Sequence, residues 1–350
     1  MKIAQLAQLW CGIPPYKYGG ASYIVSNITE ELIKRGHKVT IFAPGNTITK
    51  ARLEAIVPKP TLELGIDWSD LDFELLNISN CYSKAENFDI IHGHISASDA
   101  AILIAQPKNT PCVFTIHNSF FKHKKSIQEI INQRIKKVNF ISISKSFQRK
   151  TPGLKYIANI YNGIDVEKYT FNNSPRDYLA WLGRFDPTKG VKEAILVAKK
   201  LHKRLIIAGR MNKEEEVYFN REIKKYIDND QIKFLGEISF QDKNKLLANA
   251  YATLVPTSWN EPFGLVTAEA AACGSPVVGF KVGATPEIVK NGVTGFVVPK
   301  GNIKKMVEAV KNIDQINRED CRNYVAQNFS IKKMVDRYER VYSKLINKGR

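Results

Sequence analysis

Apolar residues in the first half of the chain fall into short runs separated by stretches with helical spacing. After Lys2, residues 3–9 are an apolar run interrupted only by Gln5 and Gln8, and 2–9 together predict a buried strand. A loop ending in the paired glycines Gly19 and Gly20 follows. Ile24, Ile28 and Leu32, flanked by Val25 and Ile33, then predict a helix over 22–35 that Gly36 stops. Residues 38–43 read as the next strand, so strand, glycine loop, helix and strand form a parallel β-α-β unit. The alternation continues with strand 89–94, helix 97–105, strand 112–117, helix 126–138 and strand 140–144. This order predicts a doubly wound α/β domain.

Turn residues at 161–165 and a polar 172–175 segment separate a second series. Its strands are expected at 178–182, 204–208, 232–235, 252–255 and 276–279, with helices between them. Helical sequence runs from 299 onward and closes with 331–346. The expected domains are therefore 1–168 and 169–330, both Rossmann-like, followed by a C-terminal helix within 331–350. Two such halves predict a ligand cleft at the C-terminal edges of two parallel sheets.

Length and composition agree with this reading: 350 residues suit two cores, and 44% hydrophobic with 25% charged residues is ordinary for a globular protein. No apolar run approaches the roughly 18 residues that span a bilayer. The N-terminus has one Lys before an interrupted apolar run, which favours a first strand over a signal peptide. Five scattered cysteines show no disulfide or metal spacing, which points to a reducing cytoplasm. The net charge of +18 calls for an acidic partner. It is uneven, because residues 108–155 hold eleven Lys/Arg and one acid, Glu129. Within that segment Phe120, Phe121 and Lys122, His123, Lys124, Lys125 precede a helix whose apolar stripe is flanked by Arg134, Lys136 and Lys137. The 120–138 stretch reads either as peripheral contact with an anionic membrane or as an amphipathic helix packed on its own sheet. No recognition module or base-stacking series accompanies the charge, which speaks against nucleic acid.

The candidate chemistry lies where strands end. After strand 252–255 comes a loop carrying Glu261, then Phe263, Gly264, Leu265 and Val266 opening a helix that carries Glu269. A helix start attracts phosphate, and two carboxylates beside it suit a ligand with both hydroxyls and phosphate, a nucleotide sugar. Paired carboxylates also suggest glycoside hydrolysis, but Arg184 and Lys189 follow strand 178–182 just before another helix, as a diphosphate clamp would. The alternative is two solvated surface cations. Gly19 and Gly20 either approach a phosphate or only make a tight turn; they lack the dinucleotide-binding spacing. His117 ends a strand, placed to donate a hydrogen bond to substrate or to be a satisfied core histidine. His92 and His94 share one strand face without a third metal ligand, leaving His94 as a possible acceptor-side group. Asp228 and Asp230 imitate a metal motif but precede strand 232–235, at the wrong edge, where a helix-ending turn explains them.

Glu261-x7-Glu269, Gly183-Arg184-x4-Lys189-Gly190 and Asn162-Gly163-Ile164-Asp165 together resemble the retaining glycosyltransferases of family 4, which have the GT-B fold. Gly283-x3-Glu287 and the segment 292–297 share the likeness, while Ala284 and Pro262 depart from the usual residues. The resemblance implies transfer of a sugar from a UDP- or GDP-sugar to a glycan or lipid-linked acceptor, with the anomeric configuration kept and no bound metal or other cofactor. It implies that Arg184 and Lys189 neutralise the leaving diphosphate, that Glu261 holds donor-sugar hydroxyls and that Glu269 accepts the ribose hydroxyls. The backbone at Phe263–Val266 would face sugar and phosphate. Glu237 and Ile238 would meet the base, Gly19 and Gly20 the phosphates, and His117 the donor sugar. It further implies that the last helix crosses back to the first domain, and that the setting is cell-surface polysaccharide assembly at the inner membrane face. A nucleotide-sugar epimerase or hydrolase of the same fold, or a binding-only protein, are the other readings.

Overall fold

A computed structural model describes residues 1–16, 19–67, 70–95, 106–117 and 138–349. The expected helices 97–105 and 126–138 and the 120–125 cluster lie outside these residues, apart from Val138. The chain divides into two compact units, Met1–Gly163 with Ile331–Arg350, and Ile164–Ser330. The division falls between Gly163 and Ile164 rather than between 168 and 169. The cause is local: Ile164 donates its N–H to Phe329 O (2.8 Å) and bridges to Ser330, which ties it to the second unit.

Among the described residues, the first unit holds β1 (Lys2–Leu6), β2 (Lys38–Phe42), β3 (Arg52–Glu54), β4 (Ile90–Ile95), β5 (Cys112–Ile116), β6 (Phe140–Ser142) and β7 (Tyr156–Asn159). They form one parallel sheet in the order β3-β2-β1-β4-β5-β6-β7. Helix α1 (Gly20–Lys34) follows β1 directly. Strand β1 stops at Leu6, not at residue 9, because the chain is drawn off the sheet. Leu9 N–H donates to Glu74 Oε1 (2.7 Å) on α2 (Asp72–Tyr82). Strand β6 stops at Ser142 because Ser144 is the N-cap of α3 (Lys145–Lys150) and accepts from Phe147 N–H (3.0 Å). Burial pushes the Glu74 carboxyl up to about 7, against the opposing hydrogen bond from Leu9. The protonated form is therefore favoured in the fold. This contribution is complete below the ordinary carboxylate pKa of 4.5 and is lost as pH rises through about 7. Glu74→Gln keeps the acceptor oxygen and removes the charge. The variant is expected to be more stable than wild type at pH 8, by about 2 kcal/mol, with the gap closing toward pH 5. Thermal denaturation at the two pH values tests this, and an equal gap at both disproves it.

The terminal helix, Ile331–Gly349, belongs to the first unit, where Arg35 binds Asp336 and Glu339 (2.7 Å each). Its Tyr338 and Tyr342 are fully buried against β4 and β5: His92 meets Tyr342 OH (2.6 Å), and Thr115 meets Tyr338 OH (3.0 Å). Gly93, between the two histidines, leaves the opposite face to Phe114, whose ring a Cβ would strike at 2.4 Å. No helix among the described residues is long and apolar enough to cross a membrane.

The second unit holds β8 (Tyr178–Leu182), β9 (Arg204–Ala208), β10 (Ile232–Phe234), β11 (Ala252–Val255), β12 (Val277–Phe280) and β13 (Gly295–Val298). Their order is β10-β9-β8-β11-β12-β13, all parallel. The order reverses between β8 and β11. This reversal is the position at which open parallel α/β sheets bind ligands, beyond the strands' C-terminal ends. Helices α4 (Val191–Leu201), α5 (Lys213–Tyr218), α6 (Phe240–Asn249) and α7 (Leu265–Ala272) pack around this sheet.

Candidate functional site

In the second unit the two loops at the switch point carry the expected cations and carboxylate. The 183–190 loop leaves β8. Asp186 caps its short turn by accepting from Thr188 N–H (2.8 Å), and Trp181 Nε1 donates to Lys189 O (3.2 Å). Thr188 O accepts from Ser258 N–H (2.7 Å), which stitches this loop to the one leaving β11. Gly190 closes it at φ 78, where a Cβ would stand 2.1 Å from Pro256 O.

Across this seam Lys189 Nζ donates to Glu261 Oε2, and Trp259 Nε1 donates to the same oxygen (3.0 Å). The ammonium also lies 4.8 Å from the centre of the Trp259 ring. The Glu261 backbone is held in turn: Ala284 N–H donates to its carbonyl (3.0 Å), and Gly283, at φ 57, leaves no room for a side chain beside Glu261 N and O. The alanine at 284 thus keeps the backbone contact that matters and is itself buried. Arg184 Nη1 binds Glu215 Oε1 (2.9 Å), with Asp186 at 3.9 Å. Glu215 is preset by a capping box, since its Oε2 accepts from Asn212 N–H (2.9 Å) and Asn212 Oδ1 accepts from Glu215 N–H (2.8 Å).

Helix α7 opens at Gly264, φ 89, without a side-chain cap. Leu265 and Val266 N–H make no backbone hydrogen bond among the described residues, so they point outward as helix-start donors. The Phe263 side chain is buried, edge-on to Phe329 at 5.8 Å, which leaves its backbone as the part able to meet a ligand. Glu269, a turn further on, is 4% exposed and accepts from Lys243 Nζ (2.6 Å) and Tyr169 OH (2.9 Å). Exposed Glu237 and half-buried Ile238 follow β10, where Gly236 O accepts from Gly209 N–H (2.9 Å). Asp228 and Asp230 sit at the opposite edge. Asp228 Oδ1 accepts from Asp230 and Ile232 N–H (3.0 and 2.8 Å), a plain turn. No cluster suited to a metal ion occurs among the described residues.

In the first unit His94 Nδ1 meets His117 Nε2 at 3.1 Å, and His94 Nε2 meets Gln5 Oε1 at 2.7 Å. Gln5 Oε1 can only accept, so His94 carries its proton on Nε2 and His117 donates from Nε2 to His94 Nδ1. Burial lowers His117 to about 4 and His92 to about 3, and holds His94 well below the ordinary range. All three rings are neutral at neutral pH. The His117 N–H is thereby engaged with His94, and its other nitrogen, Nδ1, is an acceptor. Gly19 has φ 153, and a Cβ there would strike Pro15 Cβ at 2.6 Å, so the loop's own packing accounts for that glycine. Gly20 is the first residue of α1.

Two family models together match residues 18–328: Glycosyltransferase Family 4 over residues 18–168 and Glycosyl transferases group 1 over residues 166–328. The chain belongs to the family 4, group 1 glycosyltransferases. The glycogen synthase of Mycobacterium tuberculosis is 28% identical over 251 residues, 64% of this chain and 60% of that protein. The chain thus spans less than two thirds of that relative's length. The N-acetyl-alpha-D-glucosaminyl L-malate synthase of Bacillus anthracis is 24% identical over 376 residues, covering 96% of this chain and 97% of that protein. Among solved structures, Anabaena HepE in complex with UDP superposes with a TM-score of 0.76 at 20% identity, covering 99% of this chain and 100% of that one. The architecture is GT-B.

In this glycosyltransferase, sequence reading found the charged groups at the switch point but not their partners. Asn212-x-x-Glu215 carried a capping-box signal that marks Glu215 as fixed, though not its contact with Arg184. Tyr169 and Lys243 carried no signal, since only the fold brings them to Glu269.

Proposed function

We propose that the chain moves a sugar from a nucleoside diphosphate sugar, UDP- or GDP-linked, to a glycan or lipid-linked acceptor, with retention at the anomeric carbon. One observation carries this reading: Lys189 and Glu261 share a contact at the switch point, on the same loop seam that leads into the open helix start at Leu265 and Val266. A cation and helix-start N–H groups suit a diphosphate, and a carboxylate beside them suits sugar hydroxyls. The UDP seen with HepE supports the nucleotide part.

As the glycosidic bond breaks, negative charge grows on the departing diphosphate. Lys189 and Arg184 meet that charge more strongly than they meet the intact donor, which lowers the barrier. Glu261 holds sugar hydroxyls, and Glu269 takes the ribose. Glu237 and Ile238 face the base. In the first unit, the Gly19–Gly20 backbone is assigned to phosphate, the His117 acceptor nitrogen to a sugar hydroxyl, and His94 to orienting His117. The basic segment 108–155 fits an acceptor presented at an anionic membrane surface, in the synthesis of a cell-surface polysaccharide.

The test is a panel of UDP- and GDP-sugars, each with and without membrane lipid extract, reading nucleotide release and product anomer. Acceptor-dependent release with retained configuration is expected, and it should persist in excess chelator because the two cations occupy the place of a metal. Release unchanged by every acceptor indicates hydrolysis, an inverted product refutes retention, and chelator loss restored by Mn²⁺ refutes the clamp.

A further inference from the structure

The sheet face under the terminal helix carries a row of buried polar groups. Gln5 on β1 stands beside His92 on β4, and His94 stands beside Thr115 on β5. Alternation along the strands puts these four, and His117 just past β5, on that one face. Each is at most 6% exposed, and Tyr338 and Tyr342 of the helix are 0% exposed. Burying so many polar groups is unfavourable unless they satisfy one another, and here they are joined in a single line.

The line has a direction. His117 Nε2–H donates to His94 Nδ1, and His94 Nε2–H donates to Gln5 Oε1. The other arm of the same amide, Gln5 Nε2, donates to Tyr342 OH (3.5 Å). Among the described residues Tyr342 OH meets only Gln5 and His92, so its hydrogen goes to His92 Nδ1 (2.6 Å). His92 is neutral, so its proton sits on Nε2 and is donated to Thr115 Oγ1 (2.8 Å), which is joined to Tyr338 OH (3.0 Å). Hydrogens are thus passed one way, from the end of β5 to the terminal helix. The mirror arrangement satisfies the same atoms but puts a hydrogen on His117 Nδ1. Reaching it requires the Gln5 amide to turn over, the Tyr342 hydroxyl to swing and all three imidazoles to exchange tautomer together. We propose that Tyr342 is a positioning residue whose hydroxyl, through Gln5, holds His117 in the tautomer that presents an acceptor nitrogen. Without that hydroxyl the Gln5 amide turns over alone, and His94 and His117 follow it. The bearing on activity rests on the reading above that this nitrogen meets a sugar hydroxyl.

Long-range ¹H–¹⁵N correlation spectra of protein labelled with ¹⁵N-histidine report which ring nitrogen of each neutral histidine holds the proton. The His92 and His117 signals are assigned by their loss in His92→Phe and His117→Phe. In wild-type protein at pH 7 both rings are expected to be protonated on Nε2. Tyr342→Phe should give His117 as a mixture of both tautomers. Tyr338→Phe removes an equally buried hydroxyl from the same helix, but only from the end of the line, and should leave His117 unchanged. Opposite proton positions on His92 and His117 in the wild type (a reading that needs no variant) overturn the proposal. So does an unchanged His117 tautomer in Tyr342→Phe, or an equal mixture in both variants. In Tyr342→Phe, calorimetric affinity for the nucleoside diphosphate sugar should fall with the lost tautomer, about twofold at an even mixture, while that for the free nucleoside diphosphate holds. A mixed tautomer with unaltered donor affinity overturns instead the placing of His117 against the sugar.

Discussion

Lys189→Ala is expected to lower kcat about 10³-fold and to leave thermal stability within a few degrees of wild type. The loop does not depend on this side chain, since Asp186, Trp181 and the Ser258 N–H hold it through backbone atoms. Glu261 keeps the Trp259 indole donor (3.0 Å) and is 19% exposed, so water replaces the missing ammonium. On the function proposed above, only the charge on the departing diphosphate loses its partner. Because that charge develops in the transition state, kcat and kcat/KM fall together. Nucleotide release at saturating donor and acceptor is the measurement. A rate within tenfold of wild type removes Lys189 from the chemistry.

Gly190→Ala, one residue away, is expected to act on the fold and the site together. Its φ of 78 disfavours any side chain, and the new Cβ would lie 2.1 Å from Pro256 O and 2.8 Å from Pro256 C, both backbone atoms that cannot rotate aside. The β8 and β11 loops must therefore separate. Gly292 is a fitting control. It has nearly the same φ, 75, but open space around it. Gly292→Ala should cost about 1 kcal/mol, the conformational part alone, whereas Gly190→Ala should cost about 3 kcal/mol or more. It should also lose most nucleotide affinity, since Lys189 moves with the seam. Urea denaturation of both variants decides it, and similar midpoints would show that the loops part freely.

Much of this was legible because parallel strands buried on both faces read as short apolar runs, and because the charged residues of the site stand at their ends. Arg184, Lys189, Glu261 and Glu269 were proposed as candidates that way, and the Gly36 stop and the helix expected over 331–346 lie where the structure has α1's end and Ile331–Gly349. The misses have specific causes. Strand β3 and helix α3 are three and six residues long, too short for periodicity to declare them. Helix α1 begins at Gly20, not at residue 22, because its N-cap is Gly19 rather than a polar side chain. The pairings Arg184–Glu215 and Lys243–Glu269 depend on the order β10-β9-β8-β11, which no local pattern encodes. The direction of the His117 proton likewise depends on Gln5, more than a hundred residues earlier and two strands away in the sheet.

The first unit is interrupted in sequence, since Ile164–Ser330 is threaded between its strands and its own final helix. During synthesis the second unit can finish folding while the first still waits. Until the helix Ile331–Gly349 leaves the ribosome, the sheet face under Tyr338 and Tyr342 is bare, and His92 lacks its tyrosine partner. A nascent chain therefore carries an uncovered sheet face through the whole translation of the second unit, and a frameshift or nonsense codon ahead of residue 331 disables the half that lies farthest upstream.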